Sequence, residues 1–100
     1  MDKILSLLGI GKRGGFVRSG EFQTEKSVKE QKACIVLLAE DASGNTKKKF
    51  YDSCAFYGIG IWEYGTKAAL GTATGTEERA VLAVEDFGIA GAIKKLLTKD

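Results

Sequence analysis

Two short runs of uninterrupted apolar residues constrain the fold of this chain more than any other feature. Residues 34–39 read CIVLLA and residues 80–84 read AVLAV, and each run has the length of a strand. A strand that is apolar at every position, rather than at alternate positions, is typical of a central strand covered on both faces. The chain is therefore expected to place helices on both sides of its sheet.

Helical patterns alternate with strand patterns along the whole chain. We predict strands over residues 16–18, 34–39, 59–64 and 80–84, and helices over 2–12, 20–32, 43–57, 66–75 and from Asp86 onward. The predicted helix caps are Ser19 and Gly20 for the second helix, and Ser43 or Asn45, Thr66 and Asp86 for the later ones. The order α-β-α-β-α-β-α-β-α favours a mostly parallel or mixed four-stranded sheet inside a three-layer α/β/α sandwich.

Composition indicates one domain, residues 1–100, that folds without metal or disulfide. The chain is 44% hydrophobic, and Cys34 and Cys54 are expected to be buried, unpaired thiols. The net charge of +2 does not by itself indicate nucleic acid, but residues 1–32 carry seven Lys/Arg against four Asp/Glu. With no apolar stretch of membrane-spanning length, we expect a cytoplasmic monomer that does not bind membranes.

The chain lacks the residues that several common kinds of catalytic site require. The chain has no histidine, so the usual general base and metal ligand are missing. The segment GIGKRGG, residues 9–15, does not end in GK[ST] and follows a helix, which excludes a P-loop. The acidic pairs Glu40/Asp41 and Glu85/Asp86 follow the two apolar strands, where they either bind a metal ion or cap helices. We expect no enzyme, no metal and no cofactor.

Three motifs in a consistent order carry a family resemblance. They are Gly20-x-x-Gln23-Thr24-x-Lys26, KAxIVLLAED over residues 32–41, and Leu70-Gly71-Thr72-Ala73-x-Gly75. With these motifs the chain resembles the ribosomal L7Ae/L30e protein family, from Leu5 to about Ile93, and within it the small bacterial YlxQ-like members. The resemblance implies an L30e-like sandwich that binds RNA kink-turns, which are bent helix–bulge–helix elements with sheared G·A pairs.

The resemblance also implies where the RNA binds. One contact region is the start of the second helix, which here comprises Gly20, Phe22, Gln23, Thr24 and Lys26. The other is the loop between the last strand and the last helix, which here comprises Val84, Glu85, Asp86, Phe87 and Gly88. Archaeal members have Asn-Glu where this chain has Phe22-Gln23, and its Gln-Thr-x-Lys pattern is closer to the L30e branch.

Residue chemistry is consistent with such a site. A glycine lets the backbone approach a phosphate, and an amide such as Gln23 can both donate to and accept from a purine edge. Arg18 and Lys26 would neutralise phosphates, together with Lys12 and Arg13. Phe87 would offer a stacking platform. The same residues have simpler interpretations. Gln23 and Lys26 could form a solvated helix face, and Phe22 and Phe87 could be core residues.

We therefore expect a non-enzymatic protein that recognises kink-turn-like RNA, ribosomal RNA included, and that associates with the ribosome. The alternative is a protein–protein interaction module that kept the fold and lost RNA recognition, which Phe22 would permit. A small-molecule or nucleotide-binding α/β enzyme is the third hypothesis. Steep dependence of RNA affinity on salt would distinguish the first from the second.

Overall fold

The helices and strands follow the predicted order. The structure, a computed structural model, describes residues 2–99. Its elements are α1 (Lys3–Arg13), β1 (Val17–Ser19), α2 (Glu21–Lys29), β2 (Ile35–Leu38), α3 (Gly44–Tyr57), β3 (Gly60–Glu63), α4 (Lys67–Ala73), β4 (Val81–Val84) and α5 (Phe87–Leu97). The two apolar runs form β2 and β4, which are buried at every position, and this prediction is confirmed.

The four strands form one mixed sheet in the order β1-β4-β2-β3. Strand β4 pairs antiparallel with both β1 and β2, and β2 pairs parallel with β3. Val36 in β2 lies between Ala83 of β4 and Ile61 of β3. The mixed sheet is one of the two forms predicted, and β1 and β3 are its edges.

Helices cover both faces of the sheet, which confirms the three-layer α/β/α sandwich. Along β2, Ile35 and Leu37 point to the layer of α1, α4 and α5, whereas Val36 and Leu38 point to the layer of α2 and α3. This alternation divides the core into two clusters. One contains Ile4, Leu8, Leu37, Leu70, Leu82 and Ile93, and the other contains Val28, Val36, Leu38, Phe50, Cys54 and Val81.

Four helices in the described chain begin with a side chain that accepts a hydrogen bond from the first turn. The capping residues are Asp2, Ser43, Thr66 and Asp86, at 2.7 Å from Leu5 N, 3.1 Å from Thr46 N, 3.0 Å from Ala69 N and 2.8 Å from Ile89 N. These bonds satisfy amide groups that have no partner inside the helix. Helix α2 differs, because it begins at Gly20 and no side chain caps it.

Antiparallel pairing separates the two acidic pairs. Because β2 and β4 run in opposite directions, Glu40/Asp41 and Glu85/Asp86 lie at opposite ends of the strand pair, and they cannot share a metal ion. Asp41 instead accepts a hydrogen bond from Lys67 N at 2.8 Å, at the start of α4. No helix among residues 2–99 is both long enough and apolar enough to cross a membrane.

The two cysteines lie on opposite faces of the sheet and form no disulfide. Cys54 is fully buried under α3, as predicted. Cys34 is only partly buried, because it precedes β2 and faces a groove beside α5. The prediction that its thiol is buried was therefore wrong.

Gly71 fixes the path of the chain after α4. A Cβ atom at this position would lie 2.1 Å from the carbonyl oxygen of Glu77, a distance that no side chain can occupy. The carbonyl of Gly71 accepts a hydrogen bond from Thr76 N at 2.8 Å, and the buried Thr74 hydroxyl donates to the Leu70 carbonyl at 2.9 Å. The Leu70–Gly75 motif therefore folds the loop that connects α4 to β4.

We predict that Cys34 reacts with iodoacetamide before Cys54 does. Burial raises the pKa of Cys54 to about 11, and burial together with the charges of Asp86 and Glu85 raises the pKa of Cys34. Because the thiolate is the nucleophile, both thiols should react more slowly than a free cysteine, and Cys54 should react at the rate of unfolding. Mass spectrometry of the native protein and of a Cys34→Ser control measures the order. Labelling of Cys54 first would contradict the fold.

We also predict that Gly71→Ala destabilises the protein by about 2 kcal/mol or more, because the new methyl group meets backbone that cannot withdraw. Gly91→Ala is the matched control: a Cβ at this position of α5 has no neighbouring atom within 4 Å. This control should be neutral or stabilising by up to about 1 kcal/mol. Urea unfolding compares the two variants, and equal stability of the variants would refute the role given to Gly71.

Candidate nucleic-acid interface

The start of α2 presents backbone amide groups at one end of the sheet. Gly20 has φ 93°, a conformation that favours glycine, and its N–H donates to the Val81 carbonyl at 2.9 Å. The first α-helical bond runs from Thr24 N to the Gly20 carbonyl at 3.0 Å. Since no side chain caps the helix, its first-turn amides are available to a negatively charged ligand.

The loop between α4 and β4 lies against this helix start. The Arg79 Nε atom is 3.3 Å from the Ser19 hydroxyl oxygen, and a Cβ on Gly20 would lie 3.8 Å from the Arg79 side chain. Neither Arg79 nor Thr76 was among the residues predicted from the sequence. The signal that could have found them is the Leu70–Gly75 motif, because it shapes the loop that holds both side chains.

Two adjoining depressions join these elements into one surface. The first, of about 340 Å³, lies between the α4–β4 loop and β1, and the second, of about 180 Å³, follows α2. Arg18 and Gln23 line both. We call their combined lining the α2–β1 surface; its polar residues are Lys12, Arg18, Ser19, Gln23, Lys26, Ser27, Glu30, Lys32, Thr76, Arg79 and Glu85.

The cations on this surface differ in their ion pairing from the other cations of the layer formed by α2 and α3. Among the lysines of α2 and α3, Lys26 alone has no carboxylate within 4.0 Å in the described chain. The others are paired: Lys29 and Lys49 with Glu25, Lys47 with Glu63, and Lys48 with Asp52. Lys12 and Arg79 likewise form no ion pair with residues 2–99. The lysine run 47–49 is therefore a neutralised helix face, whereas the α2–β1 surface keeps free positive charge.

Two carboxylates also line this surface: Glu30, which pairs with Lys32 at 3.3 Å, and Glu85, which is held in place. Its carboxylate accepts a hydrogen bond from the Ser27 hydroxyl at 2.6 Å and lies 3.4 Å from the Nε atom of Arg18. Its side chain is only 13% exposed. Both oxygens are thus engaged within the protein, and Glu85 orients Arg18 at the junction of the two depressions.

Three of the predicted residues on α2 are exposed where the hypothesis requires it. Phe22 is 75% exposed, and Gln23 and Lys26 also face solvent. Thr24 is different, because it is fully buried and its hydroxyl lies 3.3 Å from the Arg18 carbonyl. Its role is to hold β1 to α2, and the predicted direct contact is corrected.

The second predicted contact region, Val84–Gly88, does not form part of the same surface except through Glu85. Val84 is fully buried, and Asp86 caps α5. Phe87 is 87% exposed rather than in the core, but it faces a groove with Cys34 and Trp62. The physical reason is the antiparallel pairing of β1 with β4: Gly20 follows the end of β1 that lies beside Val81, whereas Phe87 follows the other end of β4. Gly88 lies in the first turn of this helix.

Comparison with known proteins agrees with the motif evidence. A Bacillus subtilis (strain 168) protein, RNA-binding protein YlxQ, is 42% identical over 91 residues, which is 91% of each chain. RNA-binding protein YlxQ of Enterococcus faecium is 35% identical over 96 residues, covering 96% of this chain and 92% of that protein.

Solved structures share the fold. A protein of unknown function from Bacillus halodurans C superposes with a TM-score of 0.94 at 36% identity, covering 99% of this chain and all of that one. The Giardia lamblia 15.5kD RNA binding protein superposes with a TM-score of 0.78 at 22% identity, over 96% and 92% of the two chains, and supports the fold alone. The sequence profile of one family matches residues 2–93. The resemblance seen in the motifs is thereby confirmed, and the chain belongs to the ribosomal protein L7Ae/L30e/S12e/Gadd45 family.

Proposed function

We propose that this protein binds structured RNA through the α2–β1 surface and carries out no catalysis. The observation that carries the proposal is the combination at the start of α2. It is the one helix of the described chain without a side-chain cap, and three cations on the surface around it, Lys12, Lys26 and Arg79, have no carboxylate within 4.0 Å in that part of the chain. A helix start of this kind favours an anion, and the surrounding lysine and arginine side chains would extend the contact along a phosphate backbone.

Phosphate contacts would position the RNA without reading its sequence. Arg79 lies beside Gly20, where the free α2 amides begin, and Lys26 lies in the second turn of the helix. Arg18, oriented by Glu85, would contact the phosphates between them. These contacts make affinity depend strongly on salt and nearly independent of base identity.

Base recognition would come from Gln23. Its amide is exposed at the junction of both depressions and can both donate to and accept from a base edge. Regular RNA duplex has a deep major groove that side chains do not read, whereas kinked or bulged RNA presents base edges. We therefore propose a kink-turn-like element as the target, which is also what the family resemblance implied.

The relatives support the general part of this proposal. The two YlxQ proteins are RNA-binding proteins, and their similarity spans the residues of the α2–β1 surface. The finer parts are our own: a cytoplasmic target that includes ribosomal RNA, association with the ribosome, and action as a monomer. The protein would stabilise the kinked state by binding it more tightly than the straight state, since equal affinity would shift no equilibrium.

One observation favours a second candidate function. Phe22 is 75% exposed at a position where archaeal relatives carry the polar Asn, and an exposed phenylalanine suits a protein partner as well as an RNA base. In this alternative the same surface binds a protein, and RNA recognition has been lost.

The first test is a titration of the protein against a kink-turn RNA and a straight duplex of matched length, each at low and at moderate salt. We expect tighter binding to the kink-turn and a linear fall of the logarithm of affinity with the logarithm of salt concentration, because released counterions oppose binding at high salt. Equal or negligible binding to both RNAs would contradict the proposal and favour the protein-interaction alternative.

The second test separates phosphate contact from base recognition on one helix. Lys26→Ala should weaken binding to both RNAs and reduce the salt slope by roughly one unit, since it removes one phosphate contact. Gln23→Ala should leave the slope unchanged and reduce the preference for the kink-turn by about 1–3 kcal/mol.

Lys29→Ala is the matched control, because Lys29 lies on the same helix but is 3.8 Å from the carboxylate of Glu25. It should change neither the slope nor the preference. If Lys29→Ala and Lys26→Ala have equal effects, net charge alone governs binding and the assigned surface is wrong.

A further inference from the structure

Strand β3 is an unprotected edge of the sheet. It pairs only with β2, and none of its four residues, Gly60–Glu63, is fully buried, whereas every residue of β2 and β4 is. The apolar side chains of Ile61 and Trp62 remain partly exposed on its two faces. An apolar strand with an open edge tends to pair with another chain.

A depression of about 150 Å³ lies between this edge and α5, and we call it the β3–α5 groove. Trp62 lines it, and its indole ring lies so close to Gly60 that a Cβ there would be 2.8 Å from the ring. Phe87, 87% exposed, lines the groove from the first turn of α5. The groove therefore offers two aromatic surfaces beside an open strand edge.

The one charged side chain among the described residues that line this groove is positive. Lys94 lines it from α5 and has no carboxylate within 4.0 Å in the described chain. Glu63, the acidic residue of β3, is occupied on the other face of the sheet by Lys47 at 2.8 Å and Tyr51 at 2.7 Å. Asp86 caps α5 through Ile89 N and adds its charge near Cys34. A ligand that matches this pattern is apolar in the middle and acidic beside Lys94.

We propose that the β3–α5 groove binds an extended peptide segment of a protein partner, with an apolar side chain between Trp62 and Phe87 and a carboxylate facing Lys94. The segment pairs with β3 through backbone hydrogen bonds, which supply affinity, while the side chains supply specificity. This surface lies at the edge opposite β1. The protein can therefore hold the peptide and a ligand of the α2–β1 surface at the same time.

A second copy of the chain fits the groove less well than a different partner does. Pairing β3 with β3 of another copy would bring two Lys94 side chains to the interface, while the Glu63 carboxylate of each copy is already paired with Lys47. Charge complementarity thus favours an acidic, non-identical segment.

The experiment selects displayed random peptides of about twelve residues, long enough to span β3 with flanking residues. Selection uses the intact protein, with the Phe87→Ser variant as the counter-selection target. Binding of the enriched peptides, made without tryptophan, is then measured through the fluorescence of Trp62, the one tryptophan of the chain. Phe87 and Lys94 are exposed, so their variants should fold.

We expect enriched peptides that combine apolar and acidic residues and shift the Trp62 emission. Phe87→Ser should weaken them by at least about fivefold, since it removes an apolar contact. Lys94→Glu should weaken them by roughly two- to fivefold, the range of an exposed ion pair, and replacing the peptide carboxylate by lysine should restore binding. Lys95→Glu is the matched control and should have no effect, because Lys95 does not line the groove.

Four outcomes would overturn the inference. The first is that no peptide is enriched on the wild-type protein over the Phe87→Ser variant. The second is that the enriched peptides bind Lys94→Glu as tightly as the wild-type protein. The third is a concentration-dependent dimer in sedimentation that Phe87→Ser abolishes, which would assign the groove to a second copy. RNA affinity should be the same in Phe87→Ser and wild type; a fall would make the groove part of the RNA site and refute the separate peptide site.

Discussion

The side-by-side burial of β2 and β4 is the constraint on which the rest of the structure depends. All eight of their residues are at most 3% exposed, and Val36 and Leu37 of β2 are paired with Ala83 and Leu82 of β4. Burying a large aliphatic side chain contributes about 1.5–3 kcal/mol, so any arrangement that wets one face of this pair loses most of the folding free energy. Both faces need helical layers, and α2 with α3 and α1 with α4 and α5 provide them.

That arrangement determines where a ligand can bind. The helices occupy both faces of the sheet, so polar groups of the backbone are accessible only at strand ends and at the two edge strands. At the β1 edge, the glycine start of α2 and the Arg79 loop leave amides and cations free. At the β3 edge, Trp62 and Phe87 leave an apolar groove. The two edges therefore suit ligands of different chemistry, an anionic one and an apolar one.

The three-layer sandwich and the type of each element could be predicted from the sequence, because they depend on the local pattern of apolar residues. The binding site could be predicted only in part. Gly20, Gln23 and Lys26 follow one another on a single helix, so their proximity could be read from spacing. Strand order and direction are set by pairing between distant segments, and no spacing reports them. For that reason the loop with Phe87 was placed with Gly20, whereas the neighbour of Gly20 is Arg79.

The missing cap of α2 is best understood as a compromise between stability and binding. Ser, Thr or Asp caps the other four helices of the described chain, and such a cap stabilises a helix by about 1 kcal/mol relative to alanine but by only a few tenths of a kcal/mol relative to glycine. At position 20 the backbone has φ 93°, where a residue with a Cβ is strained, so the turn from β1 into α2 requires glycine. A capping oxygen would also occupy the amides that a phosphate would otherwise contact. Under the proposed RNA role, the stability given up at Gly20 keeps those amides free beside Lys26 and Arg79, and Glu85 supplies order by holding Ser27 and Arg18.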